Sequence, residues 1–301
     1  MNRRPIAITC GDPAGVGPEL VESWLKHNQD KKSQVIPIGP TLWIKRLGLS
    51  GISVGPNDYE AQLGKPNEDG HRVALAAMER AAEGCSKGEF SAVVTGPVNK
   101  HGLASIGFSH PGQTEFFAKK WGGEPVMAFA GGKMTVALVT WHIPLREVAD
   151  HLNAENIQRT ILALVKLRQK LGDKEPRIAV CGLNPHAGEN GILGKEDGAL
   201  IQPLVEKLCR EGFKITGPLP GDTAFHRHLK GEFDGVVAMY HDQGLGPLKT
   251  VDFSEAANLT LGLRFVRTSP DHGTAYDLAG THQGDRRSLD SAIRLAAKLQ
   301  E

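Results

Sequence analysis

Three histidines each stand where an apolar run gives way to a turn: Val136-Ala-Leu-Val-Thr-Trp-His142, Ile178-Ala-Val-Cys-Gly-Leu-Asn-Pro-His186 and Val236-Val-Ala-Met-Tyr-His241. In an α/β protein such runs are strands, and the residues just past their carboxyl ends converge on the ligand crevice. Three neutral imidazoles meeting there would hold a divalent metal and leave one coordination position for water or substrate. The intervals of 44 and 55 residues fit no short metal-binding pattern, so three hydrogen-bonded loop histidines remain the plain alternative. Their neighbours favour the metal: Asn184-Pro-His-Ala-Gly-Glu189 and His241-Asp242-Gln-Gly244 set turn formers and polar groups around two of the imidazoles.

Further donors follow in sequence. Lys249 lies eight residues beyond His241, and Asn258, Arg264 and Arg267 come after it. An ammonium, an amide and two guanidinium groups suit a phosphorylated or carboxylated substrate. A solvated role for any one cation is the competing reading, since the chain holds 35 Lys and Arg. In His110-Pro-Gly-Gln-Thr-Glu115, Gln113 and Thr114 can hydrogen-bond a phosphate or hydroxyl, although on these residues alone helix capping is the simpler role. The run Thr9-Cys-Gly11-Asp-Pro-Ala-Gly15-Val-Gly17-Pro-Glu19 leaves a strand and opens a helix. It is either an anion-binding helix start or a tight strand-to-helix turn. It is not the G-x-G-x-x-G dinucleotide fingerprint, which is absent from the chain.

The elements that must position these residues alternate between strand-like and helical patterns, which predicts α/β architecture with mostly parallel strands. Strands are expected at Ile6–Cys10, Val35–Gly39, Ala92–Thr95, Val126–Ala130, Thr135–Thr140, Arg177–Gly182, Val236–Tyr240 and Leu259–Val266. Helices are expected at Pro18–Lys26, His71–Ala82, Glu155–Leu171, Gly198–Arg210 and Ser288–Leu299. Gly131-Gly132-Lys133 between two β-rich runs predicts a hairpin.

At 301 residues the chain is long enough for about two domains of 100–200 residues or one large one, and no low-complexity linker is present, so two domains should pack closely. A hydrophobic fraction of 40%, a charged fraction of 23% and a formal net charge of +1 argue against a general nucleic-acid or anionic-membrane surface. Cys10, Cys85, Cys181 and Cys209 are scattered and imply no disulfide framework. The first apolar segment is too short for a signal-peptide core and no 18-residue apolar span follows, so the expected location is the cytoplasm.

The stretch Thr268-Ser-Pro-Asp-His272-Gly-Thr-Ala-Tyr-Asp-Leu-Ala-Gly280 resembles the His-Gly-Ser-Ala-Pro-Asp-Ile-Ala-Gly segment by which isocitrate and isopropylmalate dehydrogenases hold the adenosine part of their cofactor. Together with Gly11-Asp-Pro-Ala-Gly15, Asn184-Pro-His-Ala-Gly-Glu189 and Met239-Tyr-His-Asp-Gln-Gly244, in that order along the chain, it makes the whole sequence similar to the 4-hydroxythreonine-4-phosphate dehydrogenase family of pyridoxal phosphate biosynthesis.

The resemblance implies an isocitrate/isopropylmalate dehydrogenase-like α/β fold with two subdomains flanking a cleft. The first would be 1–105 plus 268–301 on the cofactor side, and the second 106–267 on the metal and dimer side. It further implies a homodimer whose active site is shared between subunits, with a divalent metal (zinc, cobalt or magnesium) on His142, His186 and His241, one of them donated across the interface. Substrate contacts carried over are Gln113, Thr114, Lys249, Asn258 and Arg267, with Asp222 a weaker candidate. NAD or NADP would meet Asp271, His272, Gly273 and Ala275. Asp242 is a proton acceptor or an orienting partner for His241.

Two departures stand out. Gln113 replaces the family's usual histidine, exchanging a titratable ring for a neutral amide, and the region between Ser50 and His71 is short. The implied reaction is oxidation of 4-(phosphooxy)-L-threonine at C3 with decarboxylation. The change at Gln113 gives weight to a 4-phospho-D-threonate or 4-phospho-D-erythronate 3-dehydrogenase. A phosphate acyltransferase of the same broad fold and a metal-binding regulator that has lost catalysis are more distant alternatives.

Overall fold

The computed structural model describes residues 4–300. In chain order the elements are β1 (Ile6–Thr9), α1 (Gly17–His27), β2 (Val35–Pro40), α2 (Thr41–Leu47), β3 (Ile52–Val54), α3 (Glu68–Ser86), β4 (Ala92–Thr95), α4 (Lys100–Ser105), α5 (Gln113–Trp121), β5 (Gly123–Ala130) and β6 (Val136–Leu138). They continue with α6 (Val148–His151), α7 (Ala154–Leu171), β7 (Arg177–Cys181), α8 (Gln202–Arg210), β8 (Lys214–Leu219), α9 (Gly221–Leu229), β9 (Gly235–Ala238), α10 (His241–Asp252), β10 (Ala257–Leu263), β11 (Val266–Pro270) and α11 (Arg287–Leu299).

The chain forms two compact units, the first running to Pro125 and resuming at Ala257, the second spanning Val126–Ala256. In the first unit the strand order is β3-β2-β1-β4-β11-β10, parallel except where β11 turns back from β10. All four residues of β1 and all four of β4 are buried. Successive side chains point to opposite faces, so both faces must be covered. The cover comes from α11 with α1 and from α3 with α4 and α5. Helix α3 buries Val73, Ala74, Ala77, Met78, Ala81, Ala82 and Cys85, the spacing of one helical face. It starts three residues earlier than the apolar pattern predicts, because the Asn67 side chain caps it by accepting the Gly70 N–H at 2.8 Å.

In the second unit the order is β5-β6-β9-β7-β8, with β5 and β6 forming the predicted hairpin and the other pairs parallel. One core gathers Phe129, Val136, Leu138, Phe225, Leu245 and Leu248 from the strands, α9 and α10, with Phe233 from the loop before β9, while Ile157, Ile161 and Leu164 of α7 are buried against β6, β7 and β9. Cys10 and Cys181 are buried free thiols, and burial raises both above the ordinary thiol range.

Several expectations need correction. The single strand expected at Leu259–Val266 is a hairpin: Asn258 pairs Ser269 and Thr260 pairs Arg267 across a turn at Arg264 and Phe265. The bend follows Gly262, whose φ of +78° is left-handed. The boundaries also fall elsewhere than 105/106 and 267/268. Residues 106–125 and 257–267 belong to the first unit, because α5 packs on α3 and β10, and β11 extends the sheet from β4.

His228 supplies a pH-dependent element of the second unit. Its Nε2 accepts the Thr135 N–H at 3.0 Å and its Nδ1 faces the Phe233 carbonyl at 2.8 Å, an arrangement that needs the neutral ring. Burial lowers its pKa below the ordinary value of 6.5. As pH falls below that value the unfolded chain takes up a proton that the folded chain resists, so stability present above it is lost on acidification. The urea midpoint of the protein is expected to drop as pH falls below about 6.5, and His228→Gln to flatten part of that slope. Equal slopes for both proteins would remove His228 as the cause.

Candidate active site

In the second unit, β6, β9 and β7 all end at one edge, and each is followed by one of the three histidines. His142 lies beyond β6 with a φ of 44°, and His186 lies beyond β7 with a φ of 53°. Both values are uncommon for residues with a Cβ, and such conformations concentrate at functional sites. His186 opens a run in which Ala187, Gly188, Glu189 and Asn190 also have left-handed backbones. His241 is the first residue of α10. The rings of His142 and His241 are 5.7 Å apart, beside a cavity of about 210 Å³ also lined by Thr140, Trp141, Tyr240 and Asp242. Two imidazoles bound to one tetrahedral ion have centroids roughly 5 Å apart, so this pair fits a shared metal. Nδ1 of His241 faces Asp242 Oδ1 at 2.7 Å and Nδ1 of His186 faces Glu189 Oε2 at 3.3 Å. A carboxylate on Nδ1 fixes the tautomer that offers Nε2 as the donor atom.

His186 does not join the other two within this chain. Among the described residues no three His, Cys, Asp or Glu side chains converge closely enough to hold an ion. Asp222 is exposed in the first turn of α9, and Lys249 lies two turns along α10 from His241, about 12 Å in axial rise, with its ammonium 5.7 Å from the Phe253 ring.

Residues not singled out from the sequence hold these loops in place. Buried Asp197 accepts the backbone N–H groups of Leu183 and Asn184 at 2.7 and 3.2 Å and the Asn184 side chain at 2.8 Å, fixing the entry to the His186 turn. Gln243 accepts the Met239 N–H at 2.7 Å and donates to the Gly182 carbonyl at 2.7 Å, tying the ends of β9 and β7. Thr140 donates to the Met239 carbonyl at 2.7 Å and so ties the His142 turn to β9.

In the first unit, three of the expected substrate residues gather around a fourth, Arg267 on β11, which is only 4% exposed. Its guanidinium donates to Thr95 Oγ1 at 2.7 and 3.2 Å, Asn258 Oδ1 at 3.1 Å, Thr260 Oγ1 at 3.2 Å and Gln113 Oε1 at 3.3 Å. All four acceptors are neutral. They satisfy the N–H donors; burial lowers the group from 12.5 to about 10, and the nearby Glu115 carboxylate acts in the opposite direction. Thr114 is buried beside it, 3.4 Å from Thr260. The capping role that residue type alone suggests for Gln113 and Thr114 is not what the structure shows: the N-cap of α5 is Gly112, with no side-chain cap bond. Gln113 instead links Arg267 to the Gly96 carbonyl at 3.2 Å.

The 271–280 segment follows β11 in the same unit. The Asp271 N–H bonds Ser288 at 2.8 Å, His272 Nδ1 faces the Gly273 carbonyl at 2.9 Å, and the buried His272 Nε2 has no hydrogen-bond partner. A Cβ at Gly273 would meet open space, while Ala275 is held at a φ of 42°. An orphaned ring nitrogen in a strained loop fits a segment that meets a polar ligand.

Residues 20–296 match the family model of the pyridoxal phosphate biosynthetic protein PdxA. The 4-hydroxythreonine-4-phosphate dehydrogenase of Chromobacterium violaceum is 42% identical, the match covering 99% of this chain and 98% of that protein. The crystal structure of the 4-hydroxythreonine-4-phosphate dehydrogenase of Klebsiella pneumoniae superposes with a TM-score of 0.85 at 33% identity, covering 99% of this chain and 100% of that one. A β-decarboxylating dehydrogenase of Thermococcus kodakarensis shares the fold alone, at a TM-score of 0.51 and 14% identity over 99% of this chain and 84% of that one. The expected dehydrogenase-like α/β fold is thus borne out, and the chain belongs to the PdxA family of pyridoxal phosphate biosynthetic proteins.

Proposed function

We propose that the protein is a metal-dependent, NAD(P)-dependent 4-hydroxythreonine-4-phosphate dehydrogenase of the cytoplasm, acting on a small phosphorylated substrate. The single observation that carries the substrate class is the buried Arg267 cation bonded only to neutral oxygens. Such a charge is best neutralised by an anionic ligand. Arg267, Asn258 and Thr114 would hold the phosphate end, with Lys249 and Asp222 as further substrate contacts. His142, His186 and His241 would hold a divalent ion, which supplies Lewis acidity at the carbon being oxidised. In the overall reaction the C3 carbinol of 4-(phosphooxy)-L-threonine loses a hydride to NAD(P)+ and its hydroxyl proton. The resulting β-keto acid then loses CO2 to give 3-amino-2-oxopropyl phosphate. Asp242 orients His241 in this scheme, and Asp271, His272, Gly273 and Ala275 contact the dinucleotide.

A homodimer fits the separation of His186 from the His142–His241 pair, because a second copy can supply the missing ligand. Leu145 and Ile192, on the segments after His142 and His186, are 71% and 79% exposed, apolar surface of the kind subunit contacts cover. The buried free thiols suit a reducing compartment.

The deciding experiment is NAD(P)H formation by metal-reconstituted protein with 4-(phosphooxy)-L-threonine, 4-phospho-D-threonate and 4-phospho-D-erythronate in parallel. Turnover of the first above the others supports the reading. Preference for an acid analogue would move the assignment to the second reading, which Gln113 favours, and silence on all three would end both. Gln113→His bears on the same point. A histidine there adds a positive charge below about pH 6.5. The ratio of its KM for the phosphorylated substrate to that of the wild type is expected to rise as pH climbs through that value, since the ratio cancels the titration of the substrate phosphate. A constant ratio would place residue 113 away from the bound phosphate.

A further inference from the structure

The Gly11–Glu19 run is more than a tight turn in this structure, since three of its polar groups bond another loop. Val16 N–H donates to the Thr274 carbonyl at 2.8 Å, Asp12 Oδ2 accepts the Tyr276 hydroxyl at 2.7 Å, and Glu19 Oε2 accepts the Gly280 N–H at 2.8 Å. These three bonds span the 271–280 segment from one side. On the other side, the Gly64 N–H bonds the Ala14 carbonyl at 2.8 Å, and a Cβ at Gly64 would lie 3.0 Å from the Tyr276 carbonyl.

Asp12 is the centre of the arrangement. Its side chain is fully buried and accepts three donors: the Ala14 N–H at 3.0 Å, the Tyr276 hydroxyl, and the ring of His71 with Nδ1 at 3.1 Å. Its own N–H is fixed by the Pro97 carbonyl at 2.8 Å. Burial, and then the Asp12 bond, push the Tyr276 phenol up to about 12, so it remains a donor at neutral pH. The clasped loop needs such restraint, because Ala275 sits at a φ of 42°, a conformation that persists only where its surroundings over-determine it.

We propose that Asp12, acting through Tyr276, is the positioning residue of the dinucleotide site, and that the Gly11–Glu19 run is a clasp holding the 271–280 loop in its binding conformation before the dinucleotide arrives. This rests on the reading of Asp271–Ala275 as the dinucleotide contact. Pre-organisation lowers the ordering that binding must impose, so loosening the clasp weakens dinucleotide affinity while leaving the phosphate site around Arg267 intact.

The test compares full-length, metal-loaded wild type with Asp12→Asn and the milder Tyr276→Phe, which removes one hydroxyl. The KM for the dinucleotide is expected to rise tenfold or more, about 1.4 kcal/mol. The KM for the phosphorylated substrate and kcat at saturating dinucleotide should stay within about twofold. Amide hydrogen exchange without ligands should quicken across 271–281 and not in β1 or β4. An unchanged dinucleotide KM, a parallel rise in both KM values, or unaltered exchange in that loop in Tyr276→Phe would each overturn the clasp. Should the wild type use no dinucleotide, the functional reading fails and the cofactor role of Asp12 with it, while the exchange data still decide whether the loop is clasped.

Discussion

Replacing His186 with alanine is expected to lower kcat/KM for NAD(P)H formation by about three orders of magnitude and to strip the protein of most of its divalent metal. Lewis-acid stabilisation at the reacting carbon is worth several kcal/mol, and each 1.36 kcal/mol is a factor of ten, so losing roughly 4 kcal/mol gives that figure. The side chain is exposed and outside the hydrophobic cores, so little stability should be lost with it. Its φ of 53° makes asparagine the better control, since asparagine enters the left-handed region at lower cost than alanine. Metal content per chain, measured beside turnover in both variants, separates ligand loss from misfolding. Full metal occupancy with unchanged turnover would remove His186 from the ligand set.

That this histidine was legible in the sequence follows from how parallel sheets are built. Strands β1, β4, β7 and β9 are short apolar runs buried on both faces, and a residue just beyond such a run has few places to go except the carboxyl edge of the sheet. The long helices α3, α7 and α11 were legible for the related reason that each keeps one apolar face over many residues.

What escaped was decided by contacts between distant parts of the chain. Helix α10 contains Gly244, Gly246 and Pro247, and on propensity it reads as a loop. Gly244 is there because α10 packs so closely on β6 that a Cβ would come within 2.6 Å of the Leu138 side chain. Strand β8 carries Gly217 and Pro218, tolerable only because it is the last strand of its sheet. Asp197 and Gln243 look like surface residues, and their roles appear only when Leu183, Asn184 and Gly182 fold back to meet them. The Gly11–Glu19 run showed that something constrains the backbone there, but its partner loop lies more than 250 residues away in sequence.

Arg267 carries the other large effect. From sequence it is one of 35 basic residues, and the structure makes it a fully hydrogen-bonded cation buried among neutral oxygens. Its value of about 10 still leaves it charged at neutral pH, so the folded protein carries a desolvated positive charge that an entering phosphate would neutralise. The bond to Gln113, at 3.3 Å the longest of the five, is the first that a phosphate oxygen can replace. Arg267→Met is expected to raise the KM for the phosphorylated substrate 100-fold or more, because two charge-assisted bonds of about 1.5–3 kcal/mol each are lost. The KM for the dinucleotide should move far less. Arg267→Lys, which keeps the charge without the planar fork, should fall between the two. Inorganic phosphate gives a readout that does not depend on turnover: millimolar phosphate should raise the melting temperature of the wild type and leave that of Arg267→Met unmoved, since a ligand that binds only the folded state stabilises it by mass action. An equal shift in both proteins would place the phosphate elsewhere and take the substrate class with it. No shift in either would mean that the buried charge serves the fold around Thr95, Asn258 and Thr260 rather than an anion.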